Sequence, residues 1–95
     1  MDFYRIELSK NASKNLKSLD NSVRQRVMKF FEKLEKTENP KSFGEALEEN
    51  LSGYWKYRVG NYRIVVDIQD DQLVVLIIAI GHRSIIYKEI DKKLK

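Results

Sequence analysis

The stretch YWKYRVGNYRIVV, residues 54–66, decides the fold. Aromatic and β-branched residues alternate with polar ones along it, which is the period of a strand with one buried face. Gly60-Asn61 breaks the alternation at its centre. Glycine at the first of two loop positions marks a type II′ hairpin, and such a turn sets Val59 opposite Tyr62 and Arg58 opposite Arg63. Working outward, a second two-residue turn at Asp70-Asp71 puts Trp55, Tyr57, Val59, Tyr62, Ile64, Val66, Ile68, Leu73, Val75, Ile77 and Ala79 on one face. All are apolar or aromatic. Two turns chosen independently thus agree on an antiparallel three-strand meander with one face against a core. The run 73–80 is apolar on both faces, so it reads as an internal strand, and Gly81 reads as its end.

Upstream, FYRIEL at 3–8 alternates as a short strand, and Ser9 offers an N-cap to a helix carrying Ala12, Leu16 and Leu19 on one side. Asp20, Asn21 and Ser22 interrupt it. Val23, Val27, Phe30, Phe31 and Leu34 then recur at helical spacing, and this second helix ends before Pro40. Residues 41–53 are irregular and read as a connector with at most a turn of helix within 46–51. A last helix spans 84–94, with Ile86, Ile90 and Leu94 on one side. The expectation is a single α+β domain over 1–95, ordered β-α-α-β-β-β-α, with an antiparallel sheet packed on a helical hairpin.

Composition narrows the function. The 95 residues include no Cys, which removes disulfides, thiolate metal sites and thiol nucleophiles together and suits a reducing cytoplasm. No apolar run reaches the roughly 20 residues of a membrane span, and the N-terminal sequence has no signal-peptide pattern, so a cytoplasmic location without a membrane partner is expected. Lys and Arg number 18 against 14 acids, net +4, and the excess is local. Residues 51–66 carry Lys56, Arg58 and Arg63 with no acid, 41–50 and 67–80 are net acidic, and 81–95 is again net basic.

The hairpin register puts Lys56, Arg58 and Arg63 on the face away from the apolar residues, with the two arginines directly opposed. Such a pair is destabilising by a fraction of a kcal/mol. Arginine forks match phosphate, which makes the face a candidate anion site; the plain alternative is a solvated surface with Asp67 pairing to one arginine. His82 and Arg83 follow the last strand, next to that face on this reading, and Tyr87 lies one turn on. No metal-ligand spacing or Ser/His/Asp grouping accompanies the lone histidine. Trp55, Tyr57 and Tyr62 belong to the core by pattern, leaving Tyr54 and Tyr87 as candidates for stacking on a base.

The segment 54–65, the short acidic turn, the run VVLIIAIGHR and Tyr87 together resemble the RelE/ParE toxin superfamily, and within it the RelE branch. The resemblance spans essentially the whole chain; its informative motifs are Y-R-I-V at 62–65 and G-H-R-x-x-x-Y at 81–87. It implies the toxin of a type II toxin–antitoxin pair, a cytoplasmic endoribonuclease without cofactor or metal that cuts messenger RNA on the ribosome. The implied catalytic residues are Lys56, Arg58, Arg63, Arg83 and Tyr87, with Tyr54 and His82 as substrate-binding residues. The implied partners are a cognate antitoxin, the ribosome and messenger RNA, the toxin alone being a monomer.

The chemistry open to these residues is attack of a ribose 2′-OH on the adjacent phosphate, giving a 2′,3′-cyclic phosphate and a free 5′-OH. Arg58 and Arg63 would stabilise the phosphorane, and Arg83 would steady the leaving oxygen. The proton carrier stays open among Lys56, His82 and Tyr87. Replacing Arg63 by Ala is expected to abolish toxicity and, by relieving the arginine pair, to leave stability level or slightly higher. The apolar residues of the basic face, Val65, Val74, Leu76, Ile78 and Ile80, require a cover; the C-terminal helix is the internal candidate but is marginal by its length, so an acidic amphipathic antitoxin segment is expected to bind along this face, beside that helix or by displacing it. Two other readings are carried along: a ParE-type toxin that inhibits DNA gyrase without nuclease chemistry, and a non-catalytic RNA or protein adaptor.

Overall fold

The computed structural model describes residues 2–94, with side chains described to Asp91, so the expected contact of Leu94 lies outside the described residues. Strand β1 (Arg5–Leu8) leads into helices α1 (Lys10–Ser18) and α2 (Asn21–Glu35). Two 3₁₀ turns, Pro40–Phe43 and Glu49–Leu51, flank a two-residue strand β2 (Glu45–Ala46); the meander β3 (Trp55–Val59), β4 (Tyr62–Gln69) and β5 (Val74–His82) follows, and α3 (Ile86–Leu94) closes the chain. The five strands lie in the order β1-β5-β4-β3-β2. The meander and β2 are antiparallel neighbours, whereas β1 runs parallel to β5 at the sheet's edge. The α1–α2 segment that separates β1 from the meander supplies the crossover a parallel pair requires.

The first hairpin follows the expected register, Val59 opposite Tyr62 and Arg58 opposite Arg63. Gly60 has φ +59 and Asn61 does not enter the left-handed region, as a type II′ turn requires. The second turn is longer than expected. Residues 70–73 form it, Leu73 sits at φ +54 outside the strand, and Gln69 pairs with Val74. This slips the register by two residues, which leaves every side chain on its expected face as far as Ile77.

Beyond Ile77 the expectation fails. Val66 pairs with Ile77 but Val65 with Ala79, so Ile78 is the extra residue of a β-bulge. Its carbonyl accepts hydrogen bonds from Ser9 Oγ (3.0 Å) and Asn11 Nδ2 (3.1 Å), and Asn15 Oδ1 accepts from the Ile80 amide (3.0 Å). The same Ser9 hydroxyl caps α1 by accepting from the Ala12 amide. Three polar side chains at the start of α1 thereby satisfy the backbone groups the bulge frees from the ladder. The consequence is an exchange of faces: Ile80 joins the helix-side core and Ala79 turns to the other side. The strand also continues through Gly81 to His82, which pair with Arg63 and Tyr62.

Two cores result. On one face α1 and α2 bury Ala12, Val27, Phe31 and Leu34 against Tyr57, Ile64, Val66, Val75, Ile77 and Ile80. On the other, α3 buries Ile86 and Ile90 against Val65, Ala79 and Leu51. The internal candidate, the chain's own C-terminal helix, therefore covers Val65 on the basic face, while Ile80 lies on the other side. Gly81 makes room for the helix, because a Cβ there would lie 2.9 Å from Ile86 Cδ1.

Candidate functional site

Lys56, Arg58 and Arg63 share the α3 face of the sheet, since Lys56 pairs with the buried Val65 and Arg58 with Arg63. Strand alternation, not side-chain attraction, puts them together. Repulsion is limited by an acid from the connector. Glu45 pairs with Lys56 across the β2–β3 edge, and its carboxylate stands 3.7 Å from Lys56 Nζ and 4.0 Å from Arg58 Nη2. The partner anticipated for an arginine, Asp67, instead accepts a hydrogen bond from Gln69. Gly44, Glu45, Lys56 and Arg58 line a cleft of about 280 Å³ with Ser42 and Phe43.

Glu45 is the residue that sequence reasoning passed over. A strand of two residues carries too little alternation to be seen, and the signal available was only an acid next to Gly44. That glycine is obligatory for β2 to dock, as a Cβ would fall 2.1 Å from the Lys56 carbonyl oxygen.

Arg63 is held by the turn beside it: its Nη1 donates to the carbonyls of Gly60 and Tyr62, both at 2.9 Å. Arg83 follows β5 with an exposed side chain, and its amide donates to the Asn61 carbonyl (2.8 Å), which fixes the residue next to the same turn. Tyr87 is half-buried against the α3 core, with its ring centroid 5.8 Å from Lys56 Nζ. Tyr54 packs against the same core and forms part of its wall.

His82 is separated from this group. It pairs with Tyr62, packs edge-on against that ring at 5.5 Å, and is held through Nδ1 by the Ser84 hydroxyl and amide. Tyr62 points to the same side as Ile64 and Ile80, so the imidazole lies on the α1–α2 side of the sheet, away from the cations it was expected to adjoin. The structure therefore brings together Lys56, Arg58, Arg63 and Tyr87, adds Glu45, sets Arg83 at the rim, and leaves His82 on the far side.

Among the described residues no three His, Asp or Glu side chains converge as metal ligands do. No described helix is long and apolar enough to cross a membrane. Around Lys56 and Arg58 this face thus gathers cations with one carboxylate within 4.0 Å, Glu45, while Asp67 stands further along β4 on the same face; cationic forks of this kind match a phosphodiester.

Comparison with known proteins places the chain in a family. The chain matches the family described as ParE toxin of the type II toxin–antitoxin system parDE over residues 6–87. The chain belongs to the RelE/ParE toxin superfamily. Toxin RelG of Mycobacterium tuberculosis is 29% identical over 86 residues, 90% of this chain and 97% of that protein. The toxin–antitoxin complex RelBE2 of the same organism superposes with a TM-score of 0.77 at 27% identity, covering 85% of this chain and 99% of its counterpart. Free E. coli toxin RelE, solved as an arginine-to-alanine double mutant, shares the fold at a TM-score of 0.72 and 22% identity, over 98% of this chain and 99% of that one. Within this superfamily the RelE-like fold is the α+β domain described above.

Proposed function

We propose that this type II toxin cleaves messenger RNA on the ribosome by attack of a ribose 2′-OH on the adjacent phosphate. The observation that carries the reading is the gathering of Lys56, Arg58 and Arg63 on one face of the meander with the Glu45 carboxylate within 4.0 Å of two of them. The 2′-oxygen bonds to phosphorus, the phosphorus–5′-oxygen bond breaks, the leaving 5′-oxygen takes a proton from water, and the products are a 2′,3′-cyclic phosphate and a 5′-OH. Arg58 and Arg63 carry the charge that grows on the phosphorane; preorganised donors of this kind contribute on the order of 10²–10³ each. Glu45 takes the 2′-OH proton, because it is the carboxylate already placed among the cations. Lys56, between Glu45 and Tyr87, neutralises the phosphate. Arg83, exposed beside the turn, meets the leaving oxygen and Tyr87 stacks on a base. An antitoxin is the natural partner, as the solved relatives RelBE2 and E. coli RelBE are toxin–antitoxin complexes.

The description of the matched family favours a second reading, a ParE-type toxin acting on DNA gyrase. Primer extension on a defined message, with and without ribosomes, separates the two. Nuclease action gives breaks that require ribosomes, carry 2′,3′-cyclic phosphate ends and vanish when the nucleotide at the cut is 2′-deoxy. Growth arrest with an intact message and inhibited supercoiling refutes it in favour of gyrase.

A further inference from the structure

A second cationic groove lies outside the site just described. It runs between α2 and the end of β3, with a volume of about 420 Å³, and is lined by Arg26, Lys29 and Lys33 on the helix and by Arg58 and Gly60 on the hairpin. No acid lines it, and among the described residues none of the three α2 cations makes an ion pair. All three are exposed. Their spacing of three and four residues puts them in one row about 10 Å long. Like charges so spaced destabilise a helix. A surface needed only for solubility would intersperse acids.

Two features connect the groove to the candidate site. Arg58 lines both clefts. Gly60 accepts Arg63 at its carbonyl while the Arg26 guanidinium stands against its Cα, 2.8 Å from where a Cβ would be. The cations thus continue round the hairpin from one face of the sheet to the other. The edge there is also open, because β2 covers β3 only at Trp55 and Lys56, so the outer edge at Arg58 and Val59 has no strand beside it.

We propose that this groove binds the phosphate backbone of single-stranded RNA, continuing the strand from the candidate site round the β3–β4 turn onto α2. The proposal rests on the reading of the toxin as an RNA enzyme, and it adds a second, non-catalytic contact region to it. A row of cations at helical spacing beside an open strand edge suits a flexible phosphodiester chain, with no base-specific donors required.

The test is equilibrium binding of a fluorescein-labelled, fully 2′-O-methylated oligoribonucleotide of a dozen residues, which cannot be cleaved, titrated at several salt concentrations. Wild type is compared with Lys29→Gln and with the triple variant Arg26→Gln/Lys29→Gln/Lys33→Gln, each checked for an unchanged circular-dichroism spectrum. Each lost phosphate contact should reduce the slope of log K against log salt by about 0.7, so by about 2 for the triple variant. On ribosomes, cleavage of a message that ends just past the cut codon, too short to reach the groove, should keep its wild-type rate. An unchanged slope in a folded triple variant overturns the proposal, as does absence of wild-type binding or a variant that loses affinity only for an acidic antitoxin peptide. Failure of the nuclease reading would appear separately, as a ribosome-bound message left uncut by wild type alongside a slope that still falls.

Discussion

Replacing Arg63 by Ala tests the site and the turn together. In the folded protein Arg63 Nη1 donates to two carbonyls of its own hairpin, Gly60 and Tyr62, at 2.9 Å each. Hydrogen bonds from charged donors reach about 1.5–3 kcal/mol when buried, but here water can replace the donor, and about 0.5 kcal/mol for each is appropriate. Against this, removal of the Arg58–Arg63 opposition returns a few tenths of a kcal/mol. The balance is a loss of about 0.5 kcal/mol, or a fall in Tm of about 2–4 °C for a chain of this size. Stability therefore drops slightly, contrary to the rise or neutrality expected from the arginine pair alone, because the sequence does not reveal the two carbonyls. Activity should suffer far more: loss of one donor to the phosphorane costs about 10²–10³ in rate, equivalent to about 3–4 kcal/mol. Thermal melting and primer extension on ribosome-bound message measure the two effects. A variant with wild-type cleavage refutes the role of Arg63, and one with a clearly higher Tm refutes the anchoring by the turn.

Glu45→Gln should lower single-turnover cleavage by about 10²–10⁴, with a stability change under about 1 kcal/mol because Glu45 and Arg58 are exposed and only Lys56 is partly buried; an unchanged rate removes Glu45 as proton acceptor. Gly81→Ala drives a methyl group to 2.9 Å from the buried Ile86 and should cost about 1–3 kcal/mol, seen first as amide exchange across 86–91 with the α1–α2 core still protected; protection lost everywhere at once would contradict a locally docked α3. The Tyr4 hydroxyl is pushed up to about 12 chiefly by its hydrogen bond to Asp70, and Asp70 is lowered chiefly by the same bond and then by Lys41. Tyr4 therefore contributes stability below about pH 10 that is lost as pH rises towards 12, and Asp70 contributes stability above about pH 4 that is lost on acidification. The deficit of Tyr4→Phe in urea titrations should be level across neutral pH and shrink at both extremes; a deficit independent of pH would show that the bond does not form in solution.

The meander was legible because its signal is redundant: the type II′ turn and the period-two pattern each specify the same face. Even the misjudged second turn did little harm, since a slip of two residues preserves alternation as far as Ile77. The bulge at Ile78 was not legible for the opposite reason. Its cause is remote in sequence, the Ser9, Asn11 and Asn15 side chains that receive or replace its backbone groups, and within β5 an apolar run offers no polar residue to mark the change of parity. The direction of β1 was equally hidden, because a four-residue strand pairs either way by composition.

The candidate site divides along the same line. Lys56, Arg58 and Arg63 lie before the bulge in register with the first hairpin, and local alternation was enough to place them. His82 lies beyond it, and one inserted residue decides its side. Without the bulge, Gly81 would face α1 and α2, and His82 would stand on the α3 face with Arg63 nearby. With the bulge, Gly81 takes that position, and its lack of a side chain is what lets Ile86 approach and α3 cover Val65 and Ala79. The same insertion that removes the imidazole from the basic face thus admits the helix that carries Tyr87 to within 5.8 Å of Lys56. That the candidate site has a tyrosine but no histidine thus goes with three polar side chains, Ser9, Asn11 and Asn15, that hold the bulge from the other side of the sheet.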